Sequence, residues 1–232
     1  MAARIRRPYT EARDYIRIEG QAVKLVSEQV TRVIKLEDYM ALMAGYDGLV
    51  TPILPNGCKF LRQKQGNSVI IVEKPPQVRQ LIWRGMITSP ANRETISWRL
   101  AFPYTVFVLG FNSQLSMLHS RIFYRTTPIN SIQDMLCHTN LCNVYANSTI
   151  CTGSVRATGD SLAEKVDTFI AGFWQSEFNT DLVADNFNRD RVLIPKVSNI
   201  EAWQSASRED PLFPLAERWR DFESIADLLE TI

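Results

Sequence analysis

The chain has 232 residues, long for a single domain of about 100 to 150 residues and short for two, so one sizeable core with an appendage is expected. Hydrophobic residues at 45% and charged residues at 22% exclude wholesale disorder and a coiled-coil rod. With 26 Lys and Arg against 25 Asp and Glu, a net charge of +1 provides no global field for nucleic acid or an anionic membrane surface.

The basic N-terminus, Met1 to Tyr9, is not followed by the apolar stretch of about 7 to 15 residues that a secretory signal requires. The longest aliphatic run, Val69-Ile70-Ile71-Val72, falls far short of the roughly 20 residues that span a bilayer. A cytoplasmic protein with no membrane partner is expected. The Arg residues between Arg4 and Arg13 are dispersed among acidic and apolar ones and read as a solvated face. From Gln21 to Tyr46, Val23, Val26, Val30, Val33 and Ile34 recur at three- and four-residue intervals, which predicts a helix, with some strand character in Val30 to Leu36. Gly45, Gly48, Pro52, Pro55 and Gly57 then mark a turn-rich boundary. Residues 1–58 are read as a helical, turn-rich extension and residues 59–232 as the core domain.

In the core domain, β-branched and aromatic runs cover Ser68 to Glu73, Val78 to Trp83, Ile96 to Leu109 and Gln114 to Tyr124. Pro75-Pro76, Ser89-Pro90, Pro103 and Gly110-Phe111-Asn112 punctuate them. Connections of about two to eight residues favour an antiparallel four-stranded meander, because parallel neighbours need crossovers of a dozen or more. Arg125 to Ser154 loses periodicity and reads as a long ordered loop. Ser161-Leu162-Ala163-Glu164 matches a capping box, and Leu162, Val166, Phe169, Phe173 and Trp174 build the apolar stripe of a helix that packs on the sheet. Asn186 to Pro195 reads as polar linker and a short strand, and Pro211 to Ile232 as a final helix. Trp203 and Trp219 are candidates either for partner-binding anchors or for caps on the core. The fold class is α+β.

Four cysteines stand at Cys58, Cys137, Cys142 and Cys151, three of them inside the loop. In a cytosolic setting such a cluster points to catalysis or metal binding rather than a disulfide framework. Cys137, His138, Cys142 and Cys151 contain no C-x-x-C pair, which disfavours a tetrahedral zinc site. No Gly-rich phosphate loop, dinucleotide fingerprint or metalloprotease motif is present, so no cofactor is expected. With His119 in a strand run and only His138 besides, a papain-like Cys/His pair is not supported.

The segment Asn143-Val144-Tyr145-Ala146-Asn147-Ser148-Thr149-Ile150-Cys151 places an Asn eight residues before a Cys, across a polar turn, after the strands and before a helix. This arrangement resembles the active-site loop of ubiquitin-conjugating enzymes, in which a His-Pro-Asn tripeptide leads to the catalytic cysteine. With Ile150-Cys151-Thr152-Gly153-Ser154 and the aromatic run Phe173-Trp174-Gln175-Ser176-Glu177-Phe178, it is most similar to prokaryotic ubiquitin-conjugating-like proteins of the PRTRC-system B type, over roughly Pro75 to Thr180. Leu141 and Cys142 stand where His-Pro would be, and Ser148 where the turn Gly would be. The earlier His138-Thr139-Asn140 imitates the tripeptide, but Asn140 lies three residues too far from Cys151.

The resemblance implies a ubiquitin-conjugating-like fold with Cys151 as the nucleophile and Asn143 as the assisting amide. The activity it implies is carriage of a ubiquitin-like protein, received as a thioester from an adenylating enzyme and passed to an amine of a protein acceptor. Asp160, nine residues after Cys151, is the nearest downstream carboxylate able to orient that amine, although a helix-start Asp also serves as a cap. The departures at Leu141, Cys142 and Ser148 raise the alternative of an inactive conjugating-fold module that binds or scaffolds a multiprotein complex. Cys151 has a structural alternative too, since free Cys is among the most buried residue types.

Overall fold

The structure, a computed structural model, describes residues 15–19, 22–26, 31–35, 54–84, 95–179 and 194–232. In chain order its strands are β1 (Tyr15–Glu19), β2 (Ala22–Val26), β3 (Thr31–Lys35), β4 (Cys58–Lys64), β5 (Asn67–Lys74) and β6 (Gln77–Arg84). They continue with β7 (Thr95–Phe102), β8 (Tyr104–Phe111), β9 (Met117–Arg125), β10 (Met135–Cys137), β11 (Glu177–Phe178) and β12 (Asp221–Ser224). The helices are α1 (Leu162–Gln175), α2 (Ile200–Glu209) and α3 (Ile225–Thr231). No helix among the described residues is long and apolar enough to cross a membrane.

The larger sheet has the order β12-β10-β9-β8-β5-β4-β1-β2-β3, and its paired strands run antiparallel. A two-residue turn joins β4 to β5, with Gln65 at φ 53° and Gly66 at φ 79° between the paired Lys64 and Asn67. Positive φ at both central residues gives the turn whose twist matches the strands it connects.

The strand runs do not form one continuous meander. β5 pairs with β8, while β6 and β7 leave as a hairpin in register from Gln77↔Phe102 to Arg84↔Thr95 and build a second sheet of order β11-β6-β7. Proline explains where the chain changes sheet. Pro75-Pro76 follows β5, and Pro103 splits the run Ile96 to Leu109 into β7 and β8; proline has no N–H to give a ladder. The outer edge of β7 is covered by α2, whose Ser207 Oγ accepts from Ala101 N–H and whose Trp203 indole donates to Ala101 C=O, both at 2.8 Å.

The central strands are buried on both faces, which is why Val69 to Val72 reads as unbroken apolar sequence. Ile70, Val72, Phe107, Leu109, Ile122 and Tyr124 face the main core under α1 and α2. Val69, Ile71, Val106, Val108 and Phe123 face a second cluster completed by Ile132, Leu136 and the α3 residues Ile225 and Leu228. The stripe expected on α1 is observed, with Phe173 edge-on to Phe107 at 5.8 Å and Trp174 edge-on to Phe102 at 5.1 Å. Its capping box is formed: Glu164 N–H donates to Ser161 Oγ, and Ser161 N–H to Glu164 Oε2.

The structure departs from two expected helices. Within the expected helix from Gln21 to Tyr46, the described residues form β2 and β3 instead. The three- and four-residue recurrence arises because two β-branched strands lie a few residues apart, and β-branching favours the pleated state; the rest of that stretch, like Arg4 to Arg13, lies outside the described residues. The final helix is broken into a 3-10 turn at Phe213–Leu215, β12 and the short α3. Pro214 lies in the first turn of the 3-10 segment, where its missing N–H is tolerated, and Ser224 starts α3 separately by accepting from Asp227 N–H. Of the two roles open to Trp203 and Trp219, the structure selects the cap on the core: both are buried, and the Trp219 indole donates to Pro214 C=O at 2.8 Å. Of the linker expected over Asn186 to Pro195, only Ile194 and Pro195 are described, and Pro195 opens a 3-10 turn. The α2 helix lies outside the expected elements, although Asn199 as N-cap and Ile200, Trp203, Ala206 and Ser207 on one face carry its signature.

Candidate active site

Beyond β9 the chain enters the irregular stretch, returns briefly as β10, and then forms a small hairpin that carries the expected site. Cys151 N–H donates to Asn143 C=O at 2.8 Å, Tyr145 N–H to Thr149 C=O at 2.8 Å, and Val144 and Ile150 form an antiparallel bridge. The spacing of eight between Asn143 and Cys151 is therefore a hairpin register that sets the two residues opposite each other. The cysteine arm is held against β9 by Ile122 N–H to Ser148 C=O at 3.0 Å and Ile150 N–H to Ser120 C=O at 2.9 Å. Strand pairing, more than loop packing, fixes the backbone of Cys151.

Ser148 carries the strain of the turn. It sits at φ 64°, the left-handed region that favours glycine, and its N–H closes the turn on Tyr145 C=O at 2.9 Å. This is the position where the resemblance implies a Gly, so the turn geometry survives the substitution. The Ser148 hydroxyl is buried and has no hydrogen-bond partner among the described residues.

Val144 and Ile150 point into the main core, so strand alternation directs Asn143, Tyr145, Thr149 and Cys151 to the other face. Cys151 is half-buried. The Tyr145 side chain, 43% exposed, lies diagonally across the hairpin from Cys151, within the reach that aromatic side chains have on such diagonals. The charge of a Cys151 thiolate and a hydrogen bond with that sulfur together raise the Tyr145 phenol above its ordinary pKa. Tyr145 is thus a site residue that sequence reasoning missed; the signal was its place two residues after Asn143 on the same hairpin arm.

Asn143 is nearly buried and its amide is engaged. Nδ2 donates to Glu177 C=O at 2.9 Å and reaches Ser176 Oγ at 3.5 Å, while Oδ1 accepts from Asn179 N–H at 3.3 Å. The side chain ties the cysteine hairpin to β11, the short strand after α1. β11 is in turn paired with β6 and joined to Arg84 through the Glu177 carboxylate at 2.9 Å.

The structure does not gather all the expected residues. Asp160 is exposed, one position before the N-cap, and its backbone N–H donates to Glu164 Oε2 at 2.8 Å. The cap acceptor is Ser161, so Asp160 is not the residue that starts the helix. Leu141 and Cys142 are core residues, and burial pushes the Cys142 thiol up to about 12. Burial also pushes Cys58 up to about 12, against the smaller opposing effect of its contact with Phe60 C=O. Cys137 Sγ lies 3.8 Å from Asp221 Oδ1, and His138 stands edge-on to Phe222 at 4.7 Å. Asn140 is fully buried and does not share the register that joins Asn143 to Cys151.

The model of prokaryotic E2 family D matches residues 60–214, two thirds of the chain. The chain belongs to this family. No curated protein and no solved structure matches it. The family D span begins in β4, includes both sheets' central strands, the cysteine hairpin, Asp160, α1 and α2, and ends at the 3-10 turn before β12. The match is to a prokaryotic E2-like family and does not extend to the PRTRC-system B type.

Proposed function

We propose that this family D protein is a ubiquitin-conjugating-like enzyme of the cytoplasm that carries a ubiquitin-like modifier as a thioester on Cys151. The observation that best supports this is the register of the hairpin. It sets Cys151 opposite Asn143, away from the core, with its backbone fixed by β9, while Cys142 is buried and desolvation raises the pKa of both Cys142 and the half-buried Cys58. The Cys151 thiolate attacks the activated C-terminal carbonyl of the modifier presented by an adenylating enzyme, and that enzyme's leaving group departs with its electron pair. In the second step an acceptor amine attacks the thioester carbonyl, loses a proton and expels the Cys151 thiolate, leaving an amide bond. No strong base beside the cysteine is required, because the thioester is already activated and only the amine must lose a proton.

Asn143 holds two duties in this reading. One amide N–H is committed to Glu177 C=O, and the other, held only by the 3.5 Å contact with Ser176, is the donor for the oxyanion that develops on the thioester. Loss of one such donor typically costs about 10²- to 10³-fold in rate. Asp160, exposed and not used as the helix cap, is offered as the carboxylate that orients the incoming amine on the ground that it is the nearest one downstream of Cys151 in sequence. The engagement of Asn143 with β11 also favours a second reading, a conjugating-fold module that scaffolds a protein complex without catalysis. The test is to express the tagged chain in its native host and resolve it on non-reducing gels. An adduct cleaved by thiol, absent in Cys151→Ala and converted to a thiol-resistant, hydroxide-labile ester in Cys151→Ser, is expected. An unchanged adduct in Cys151→Ala refutes the enzyme; absence of any adduct from a chain that still binds partners selects the module.

A further inference from the structure

A cavity of about 400 Å³ lies between the sheet corner and α1, lined by Lys74 at the end of β5, Arg79 and Gln80 of β6, and Asp167, Trp174 and Gln175 of α1. None of these residues belongs to the cysteine hairpin. We propose that this cavity binds a small phosphorylated or carboxylated molecule, with its oxyanion between Lys74 and Arg79 and a hydroxyl of the ligand on Asp167.

Charge and hydrogen bonding both point to an anion. Two cations face one carboxylate, so the cavity is positive on balance. Among the described residues, Arg79 Nε and Trp174 Nε1 are buried donors without an acceptor. The Lys74 ammonium has one acceptor, Asn56 C=O at 2.8 Å, and retains two N–H groups. Arg79 Nε and Trp174 Nε1 are shielded from solvent, so an anion does not reach them directly; the donors open to it are the Lys74 ammonium and the terminal N–H groups of Arg79, for which no described residue supplies an acceptor. The Arg79 guanidinium stacks 4.7 Å from the centre of the Trp174 ring, which fixes its plane and presents its fork for bidentate contact with a carboxylate or phosphate. Burial lowers the pKa of both Lys74 and Arg79, so the fold holds two cations at an electrostatic cost that a bound anion offsets. Asp167 and Arg79 both act on Lys74, which puts the three charges within one another's field. Ligand cavities are typically about 300 to 1,000 Å³, and this one suits a molecule of sugar-phosphate size.

Thermal melts of the full chain test the proposal, with ribose 5-phosphate, inorganic phosphate and gluconate as probes and potassium chloride at matched ionic strength as control. Ribose 5-phosphate or gluconate raises Tm saturably, by about 5 to 10 °C at a hundredfold excess over Kd. Whichever gives the larger shift identifies the phosphate or the carboxylate as the source of the oxyanion. The shift is lost in Lys74→Gln and reduced in Arg79→Lys, which keeps the charge but not the fork. Asp167→Asn removes the advantage of ribose 5-phosphate over inorganic phosphate. A shift equal to that of potassium chloride, or one unchanged in folded Lys74→Gln, overturns the proposal. Alkylation of Cys151 in the same variants stays at the wild-type rate, which separates this site from the reading of the hairpin.

Discussion

Replacing Ser148 by Gly tests whether the cysteine turn stores strain. A non-glycine residue in the left-handed region costs about 1 to 2 kcal/mol, and Ser148 sits there at φ 64°. Its buried hydroxyl, without a partner among the described residues, adds a desolvation cost of about 1 kcal/mol or more. Glycine returns about 0.5 to 1 kcal/mol through the greater freedom of its unfolded chain. The balance favours Ser148→Gly by about 1.5 kcal/mol. Ser148→Ala, which loses the hydroxyl but keeps the strain, gains about 1 kcal/mol. At about 2 to 4 °C per kcal/mol for a domain of this size, calorimetry should find Tm raised by about 3 to 6 °C in the glycine variant and by less in the alanine variant. A glycine variant no more stable than the alanine variant would refute the strain, and one less stable than wild type would refute the whole account of the turn.

Maleimide labelling read by peptide mass spectrometry should modify Cys151 in the folded protein while Cys58 and Cys142 stay protected; thiols near pKa 12 react roughly 10³-fold more slowly than a free cysteine. Labelling of Cys142 at the rate of Cys151 would show that the loop is not packed as described. Because Cys151 raises the Tyr145 phenol, Cys151→Ala should lower the midpoint of one tyrosine in an alkaline absorbance titration, and an unmoved midpoint would separate the two side chains. Ser161→Ala should cost about 1 kcal/mol by removing the N-cap of α1. Hydrogen bonds from the Asp160 and Ser161 backbones lower the Glu164 pKa, so its stabilising effect is complete above the unfolded value and is lost as pH falls through the folded one. Glu164→Gln should therefore flatten the acid limb of the stability profile, and an unchanged limb would count against the capping box.

The elements that sequence made legible were those specified locally. The capping box and stripe of α1 need only residues within two turns, and both appear where their spacing puts them. The Asn143-to-Cys151 pair was singled out by resemblance, in a stretch read as loop, and the hairpin register that sets the two opposite each other appears only in the structure. What escaped depended on distant partners. β4 and β10 are too short or too mixed to announce themselves, and they become strands because β5 and β9 offer them open edges. The departure of β6 and β7 from the main sheet follows from the β5–β8 pairing, which no window of sequence contains. Likewise, nothing near Asn143 in sequence indicates that its amide would be claimed by the Glu177 backbone, more than thirty residues away.

That last contact bears on the departures from the His-Pro-Asn pattern. Leu141 and Cys142, which stand in place of His and Pro, are buried, so those two positions contribute packing in this chain. Two kinds of polar link hold the cysteine hairpin in place. Backbone bonds from Ile122 and Ile150 fasten one arm to β9, and the Asn143 amide fastens the other to β11. Since β11 pairs with β6 and Arg84 grips Glu177, the hairpin is anchored to both sheets at once. Strand pairing on one arm and an amide bridge on the other therefore determine the placement of Cys151 in this chain, with no contribution from a histidine at position 141.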